Sequence, residues 1–192
     1  MLRRVIVAEP MRHLPNIITL GRVALIWPIL DSLMGGAYER SLVLIGVAAF
    51  SDGLDGWLAK RFGWTSRLGK ILDPLADKLL LVSVFLVLTW LGMVPRYLAV
   101  AAVGRDLMIA GGALLFRIGW GPLRGRPILS SKVNTLMQMT YVLTVVIHAY
   151  LGWPQHWALA ALGGATFVTV VISGAGYLRE FMRRALDVAA RA

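Results

Sequence analysis

Six stretches of this chain are apolar over about the 20 residues that a helix needs to cross a bilayer. They run from about 16 to 36, 41 to 61, 73 to 94, 97 to 117, 132 to 152 and 155 to 178. The whole chain has 192 residues, 58% hydrophobic and 16% charged, with a mean hydropathy of +0.70. Ordinary soluble domains carry roughly a quarter charged residues, so this one belongs in a membrane. The short breaks MGGAYER, GMVPRY and GWPQHW suit tight turns between antiparallel helices. The fold expected is an all-α membrane protein, a six-transmembrane-helix bundle forming one domain over residues 1–192. The first 13 residues, MLRRVIVAEPMRH, are too short in their apolar part for a signal peptide and are broken by Glu9 and Pro10. They are expected to lie on the membrane surface as an interfacial amphipathic segment.

The net charge of +10 would suit a nucleic-acid binder, but in a membrane protein basic residues mark the cytoplasmic helix ends and attract anionic lipid. Their distribution favours the membrane and no nucleic acid. Arg3, Arg4 and Arg12, the cluster from Lys60 to Lys78, Arg117 to Lys132 and the C-terminal arginines collect on one side. The other side has little beyond Arg40 and Arg96. By the positive-inside rule both termini and residues 60–78 are cytoplasmic. Trp120, Trp153 and Trp157 read as interfacial anchors. With no cysteine, disulfides and thiolate metal sites are excluded.

Within this apolar frame four acids stand out among ten in the chain: Asp52, Asp55, Asp73 and Asp77. Asp52 and Asp55 are three apart and Asp73 and Asp77 four apart, so on helices each pair shares a face. Pro74 is expected in the first turn of the third span, where its missing N–H costs nothing. A loop of about ten residues between the two helices lets the four carboxylates converge. Unpaired carboxylates at membrane depth are expensive and repel one another. Cations resolve this, and oxygen-only ligands favour Mg2+ or Mn2+, with two ions able to clamp a phosphoryl group. Solvated acids capping helix ends would explain one or two of these residues, not four at helical spacing. A cation transporter is the competing reading, but such proteins place acids near the midplane, often with repeats. Here the acids sit at one edge, without repeats.

The residues from Asp52 to Asp77 resemble the signature of the CDP-alcohol phosphatidyltransferase family, DxxDGxxAR, eight residues, then GxxxDxxxD. The match comprises Asp52, Asp55, Gly56, Ala59, Lys60, Gly69, Asp73 and Asp77, eight positions over 26 residues with every spacing kept. Lys60 stands where the family usually has Arg, keeping the charge and losing the bidentate fork. PNIITLGR, from Pro15 to Arg22, is similar to the segment that opens the first helix in bacterial and mitochondrial members. GRD at 104–106 and SKVNTLMQ at 131–138 resemble the cardiolipin synthase branch that uses CDP-diacylglycerol, with Asp106 and Asn134 distinguishing it from the phosphatidylglycerophosphate synthases.

The resemblance implies a multi-pass enzyme, usually a homodimer, of the bacterial cytoplasmic or mitochondrial inner membrane, with its active site on the cytoplasmic or matrix face. It implies two metal ions on the four aspartates, with Asp77 as general base. It also implies CDP-diacylglycerol contacts from Asn16, Thr19, Gly56, Ala59, Lys60 and Gly69. The acceptor implied is phosphatidylglycerol, giving cardiolipin and CMP; the alternative is glycerol 3-phosphate. Arg105 lies in an apolar span and needs an anion or a protein partner. It either pairs with Asp106 or a motif aspartate, or joins Arg67, Lys132 and Asn134 in holding the acceptor's phosphate. His13, His148 and His156 are not spaced as ligands, the methionines read as filling, Pro28 is a candidate kink, and Asp31 has no assigned role.

Overall fold

The computed structural model describes residues 14–62, 69–120 and 129–189, with backbone only at 14–17, 55–60, 69–71, 120 and 187–189. The expected interfacial segment 1–13, Arg67 and most of the basic loop after Arg117 lie outside the described residues. Six helices fill the described chain: α1 (Leu14–Met34), α2 (Tyr38–Phe62), α3 (Gly69–Trp90), α4 (Arg96–Trp120), α5 (Leu129–Leu151) and α6 (His156–Ala189). Each overlaps most of one of the six apolar segments. They fall into two compact units, Met1–Val87 with α1, α2 and most of α3, and Leu88–Ala192 with α4 to α6.

Two boundaries differ from the expectation for physical reasons. α3 starts at Gly69, so Pro74 lies inside the helix rather than in its first turn, and only residues 63–68 separate α2 from α3. The proline therefore removes a backbone hydrogen bond in the second turn. α6 continues to Ala189, well past the apolar stretch ending near 178. There Glu180 pairs with Arg184 at 2.6 Å and Arg183 at 2.9 Å, i to i+4 and i to i+3 contacts that support a polar extension of the helix.

In the first unit α1 packs on α2 through a row of small and apolar side chains. Thr19, Arg22, Ile26, Ile29 and Leu33 alternate at intervals of three and four residues and are all buried, while Leu20, Trp27 and Met34 on other faces are exposed. Ser41 of α2 donates to Ser32 of α1 at 2.9 Å, a hydroxyl contact between closely approaching helices. The turn between them is set by Gly36 at φ 72°. Ala37 N–H donates to Ser32 C=O at 2.8 Å and Gly36 N–H to Leu33 C=O at 3.1 Å, which satisfies two terminal carbonyls of α1.

In the second unit α6 packs against both α4 and α5. Tyr97 meets Phe167 edge to face with ring centroids 5.6 Å apart. Gly92 and Gly152 end α3 and α5 in the same left-handed conformation as Gly36. His148 and His156 meet across the α5–α6 turn with centroids 4.6 Å apart, which their sequence separation did not suggest.

Large apolar side chains cover the outside of both units: Trp27, Phe50 and Leu75 on the first, Trp90, Leu107, Ile118 and Ile172 on the second, all more than half exposed. In water such a surface would drive aggregation; against lipid it is the natural exterior. α4 over Arg96–Gly119 and α6 over His156–Leu186 are long and apolar enough to cross a membrane.

Gly36 has open space around its Cα, so a methyl group there meets no atom and costs only backbone strain. Gly36→Ala is expected to destabilise the protein by about 1 kcal/mol, read as a lowered unfolding midpoint in detergent. An unchanged midpoint would contradict the turn as described.

Candidate functional site

The polar end of the first unit is built on α1. Thr19 and Arg22 are three residues apart, so both lie on the helix face that also carries the buried Ile26 and Ile29. A guanidinium in that position is shielded from water and lipid alike, its side chain only 1% exposed. It survives there because it is paired. Arg22 Nη1 lies 2.9 Å from Asp52 Oδ1 on α2 and donates a short hydrogen bond to Asp77 Oδ1 on α3. Thr19 Oγ1 donates to Asp73 Oδ1, one turn earlier on α3. Three of the four expected aspartates are thus gathered from two helices against one face of a third.

The acids are not buried with the arginine. The side chains of Asp52 and Asp77 are 50% and 48% exposed, so each carboxylate has one side on Arg22 and another open to a ligand. The fourth acid, Asp55, lies on α2 one turn beyond Asp52, its side chain outside the described residues, as are those of Asn16, Ala59 and Lys60. Gly56 follows Asp55 on α2, and Gly69, Asp73 and Asp77 follow one another at intervals of four on α3. Among the described residues no three acidic or histidine side chains close into a metal-ligand set. The donor chemistry nevertheless fits a hard divalent ion: the groups are all carboxylates, and two of them already share a single cationic nitrogen.

Arg22 is the member of this cluster missing from the expected set. The signal was present, since an arginine inside an apolar stretch demands an anion. Thr19, expected to contact CDP-diacylglycerol, donates its hydroxyl proton to Asp73.

The second unit holds a separate buried polar cluster. Arg105 of α4 pairs with Asp106 at 2.6 Å, and its Nη2 donates to Ser131 of α5 at 2.6 Å and Ser173 of α6 at 2.5 Å. Its guanidinium carbon lies 5.8 Å from the Tyr177 ring centroid. Of the two readings of Arg105, the pair with Asp106 is present. One turn along α5, Asn134 is buried and accepts a 3.0 Å hydrogen bond from Thr169 of α6. Gln138, a further turn along and not among the expected site residues, is also buried. Arg105 Nε, Asn134 Nδ2 and Gln138 Nε2 are buried donors with no hydrogen-bond partner among the described residues. Lys132, expected beside Arg105, is exposed.

A sequence model of the family described as CDP-alcohol phosphatidyltransferase matches residues 12–172. The CDP-diacylglycerol–glycerol-3-phosphate 3-phosphatidyltransferase of Bacillus subtilis is 30% identical over 180 residues, 84% of this chain and 91% of that protein. The cardiolipin synthase (CMP-forming) of Streptomyces coelicolor is 35% identical over 102 residues, 50% of this chain and 47% of its own length. The probable cardiolipin synthase (CMP-forming) of Drosophila melanogaster is 29% identical over 184 residues, 86% of this chain and 57% of that protein. This chain is therefore similar to proteins named for two different acceptors, and spans about half the length of the two cardiolipin synthases.

Arg105→Met is expected to cost about 3 kcal/mol, because it breaks the ion pair with the mostly buried Asp106 carboxylate. Lys132→Met should stay within about 0.5 kcal/mol of the parent, as exposed substitutions do. Comparison of unfolding midpoints in one detergent checks both, and equal losses would refute the buried pair.

Proposed function

We infer that this chain, which belongs to the CDP-alcohol phosphatidyltransferase family, is a membrane enzyme of phospholipid synthesis that transfers a phosphatidyl group from CDP-diacylglycerol to phosphatidylglycerol. The products are cardiolipin and CMP. The observation that carries the transferase reading is the gathering of Asp52, Asp73 and Asp77 against Thr19 and Arg22. In this reading all six helices span the membrane, residues 1–13 lie at its surface, and the chain works as one catalytic domain within a homodimer. The acids face the cytoplasm or the mitochondrial matrix.

Asp52, Asp55, Asp73 and Asp77 would hold two Mg2+ or Mn2+ ions. The chemistry such ions supply when bound is neutralisation of the diphosphate and of the departing CMP oxygens. The chain's own residues do the rest. Gly56, Ala59 and Gly69 keep the α2 and α3 surfaces low so that the diphosphate approaches the backbone, while Lys60 and Asn16 bind the cytidine diphosphate. Asp77 accepts the proton of the acceptor hydroxyl as its oxygen bonds to the β-phosphorus and the bond to CMP breaks. Because Asp77 is held by Arg22, it contributes mainly through position.

For the acceptor, the unpaired donors of Arg105, Asn134 and Gln138 favour an oxygen-rich group such as a phosphodiester. Lys132, and Arg67 outside the described residues, are proposed to add charge for that phosphate. Glycerol 3-phosphate is the second reading, favoured by the likeness to the Bacillus subtilis protein over most of both chains.

Asp77→Asn should abolish transfer while the protein still inserts and folds, and excess EDTA should abolish transfer by the parent. Substantial CMP release by the variant would remove Asp77 as base, and full activity in EDTA would remove the metal. A further assay offers the purified protein CDP-diacylglycerol with either phosphatidylglycerol or glycerol 3-phosphate. Cardiolipin from the first alone is the expected product, whereas phosphatidylglycerophosphate from the second would transfer the assignment to the alternative acceptor.

A further inference from the structure

Arg22 enters the chemistry above only by holding Asp77, yet among the described residues it is the most buried charge in the first unit and touches two of the acids on which that chemistry depends. Its Nη1 is shared by Asp52 Oδ1 on α2 and Asp77 Oδ1 on α3. A cation between two carboxylates from different helices neutralises charge that a divalent ion held by the same acids would otherwise neutralise. Arg22 carries one positive charge and sits among three described aspartates, counting Asp73 on Thr19. The local balance therefore stays negative and still attracts a divalent ion.

We propose that Arg22 is an internal counter-cation that positions Asp52 and Asp77 and competes with a divalent ion for the same two carboxylates. This rests on the reading of Asp52 and Asp77 as metal ligands. Two consequences follow. Arg22 lets α2 and α3 hold their acids side by side without any ion, because like charges at membrane depth otherwise force the helices apart. It also weakens ion binding, since the ion gains the carboxylates only by loosening their hold on the guanidinium. Stability without metal and affinity for metal are thereby opposed through one side chain, as two ligands of one site must be.

The experiment uses the full chain in detergent, with Mn2+ as the probe. Thermal midpoints are measured in EDTA and in saturating Mn2+, and Mn2+ affinity is measured by the electron paramagnetic resonance signal of the free ion. The parent is expected to melt higher in Mn2+ than in EDTA, but by a smaller margin than the variant does. Arg22→Gln should melt lower in EDTA, recover in Mn2+, and bind Mn2+ at least about fivefold more tightly. Arg22→Lys, which keeps the charge, should restore the midpoint in EDTA; a role in packing alone would not predict that rescue. The double variant Arg22→Gln with Asp52→Asn removes a charge of each sign and should melt above Arg22→Gln alone in EDTA.

If Arg22→Gln binds Mn2+ no more tightly than the parent, or melts alike with and without it, the counter-cation role is refuted while the metal reading stands. If neither parent nor variant binds Mn2+, both fall. If Arg22→Gln does not accumulate as folded protein, the double variant decides: recovery of folded protein supports the role, and continued loss overturns it.

Discussion

The arginine buried in α1 sets the terms for the first unit. A guanidinium within an apolar helix is tolerated only where carboxylates reach it, and the acids of α2 and α3 must in turn stay clear of lipid. The two demands are met by one arrangement. Arg22 lies on the same face as Ile26, Ile29 and Leu33, so the apolar packing that fixes the rotation of α1 also fixes where its charge points. The helices cannot slip by a turn without stranding a charge, so a contact of modest strength serves as a register device. Ser32 and Ser41 near the opposite end of the α1–α2 pair add a second fixed point.

The second unit solves the same problem by other means. Arg105 finds its anion next door in the sequence, at Asp106, and its remaining Nη2 protons go to hydroxyls of Ser131 and Ser173 on two other helices. The pair is close to neutral and needs no outside ion. What it leaves over is a set of donors, on Arg105, Asn134 and Gln138, without a matching acceptor among the described residues. In the first unit the surplus is negative and invites a cation; in the second the surplus is hydrogen-bond donors and invites oxygen.

Much of this was legible in the sequence because apolar helices advertise themselves by length. All six appear where apolar runs approach 20 residues, and the breaks with Gly36, Gly92 and Gly152 end helices as expected. The boundaries that moved did so where helix and apolarity part company: the charged extension after 178, and the stretch before Asp73, where Pro74 suggested a start that Gly69 in fact provides. Asp52, Asp73 and Asp77 were legible from spacing alone. Arg22 was not singled out, because as the last letter of PNIITLGR it looked like part of a helix opening. The reasoning applied to Arg105, that an arginine in an apolar span must have an anion, would have found it. Which anion it takes depends on tertiary packing and lies beyond any local pattern.

The same contrast bears on the choice of acceptor. Phosphatidylglycerol and glycerol 3-phosphate both carry phosphate, so donors such as Arg105 and Asn134 serve either one. They differ in what surrounds that phosphate: one has two acyl chains that remain in the bilayer, the other is small and soluble. Discrimination must then come from apolar surface that accepts acyl chains, or from bulk that excludes them, rather than from basic residues. Relatives named for either acceptor can accordingly share the aspartates and the arginines of this chain at about 30% identity. In a protein whose exterior is already apolar, the residues that choose between these substrates leave little compositional trace, and only the chemistry common to both stands out.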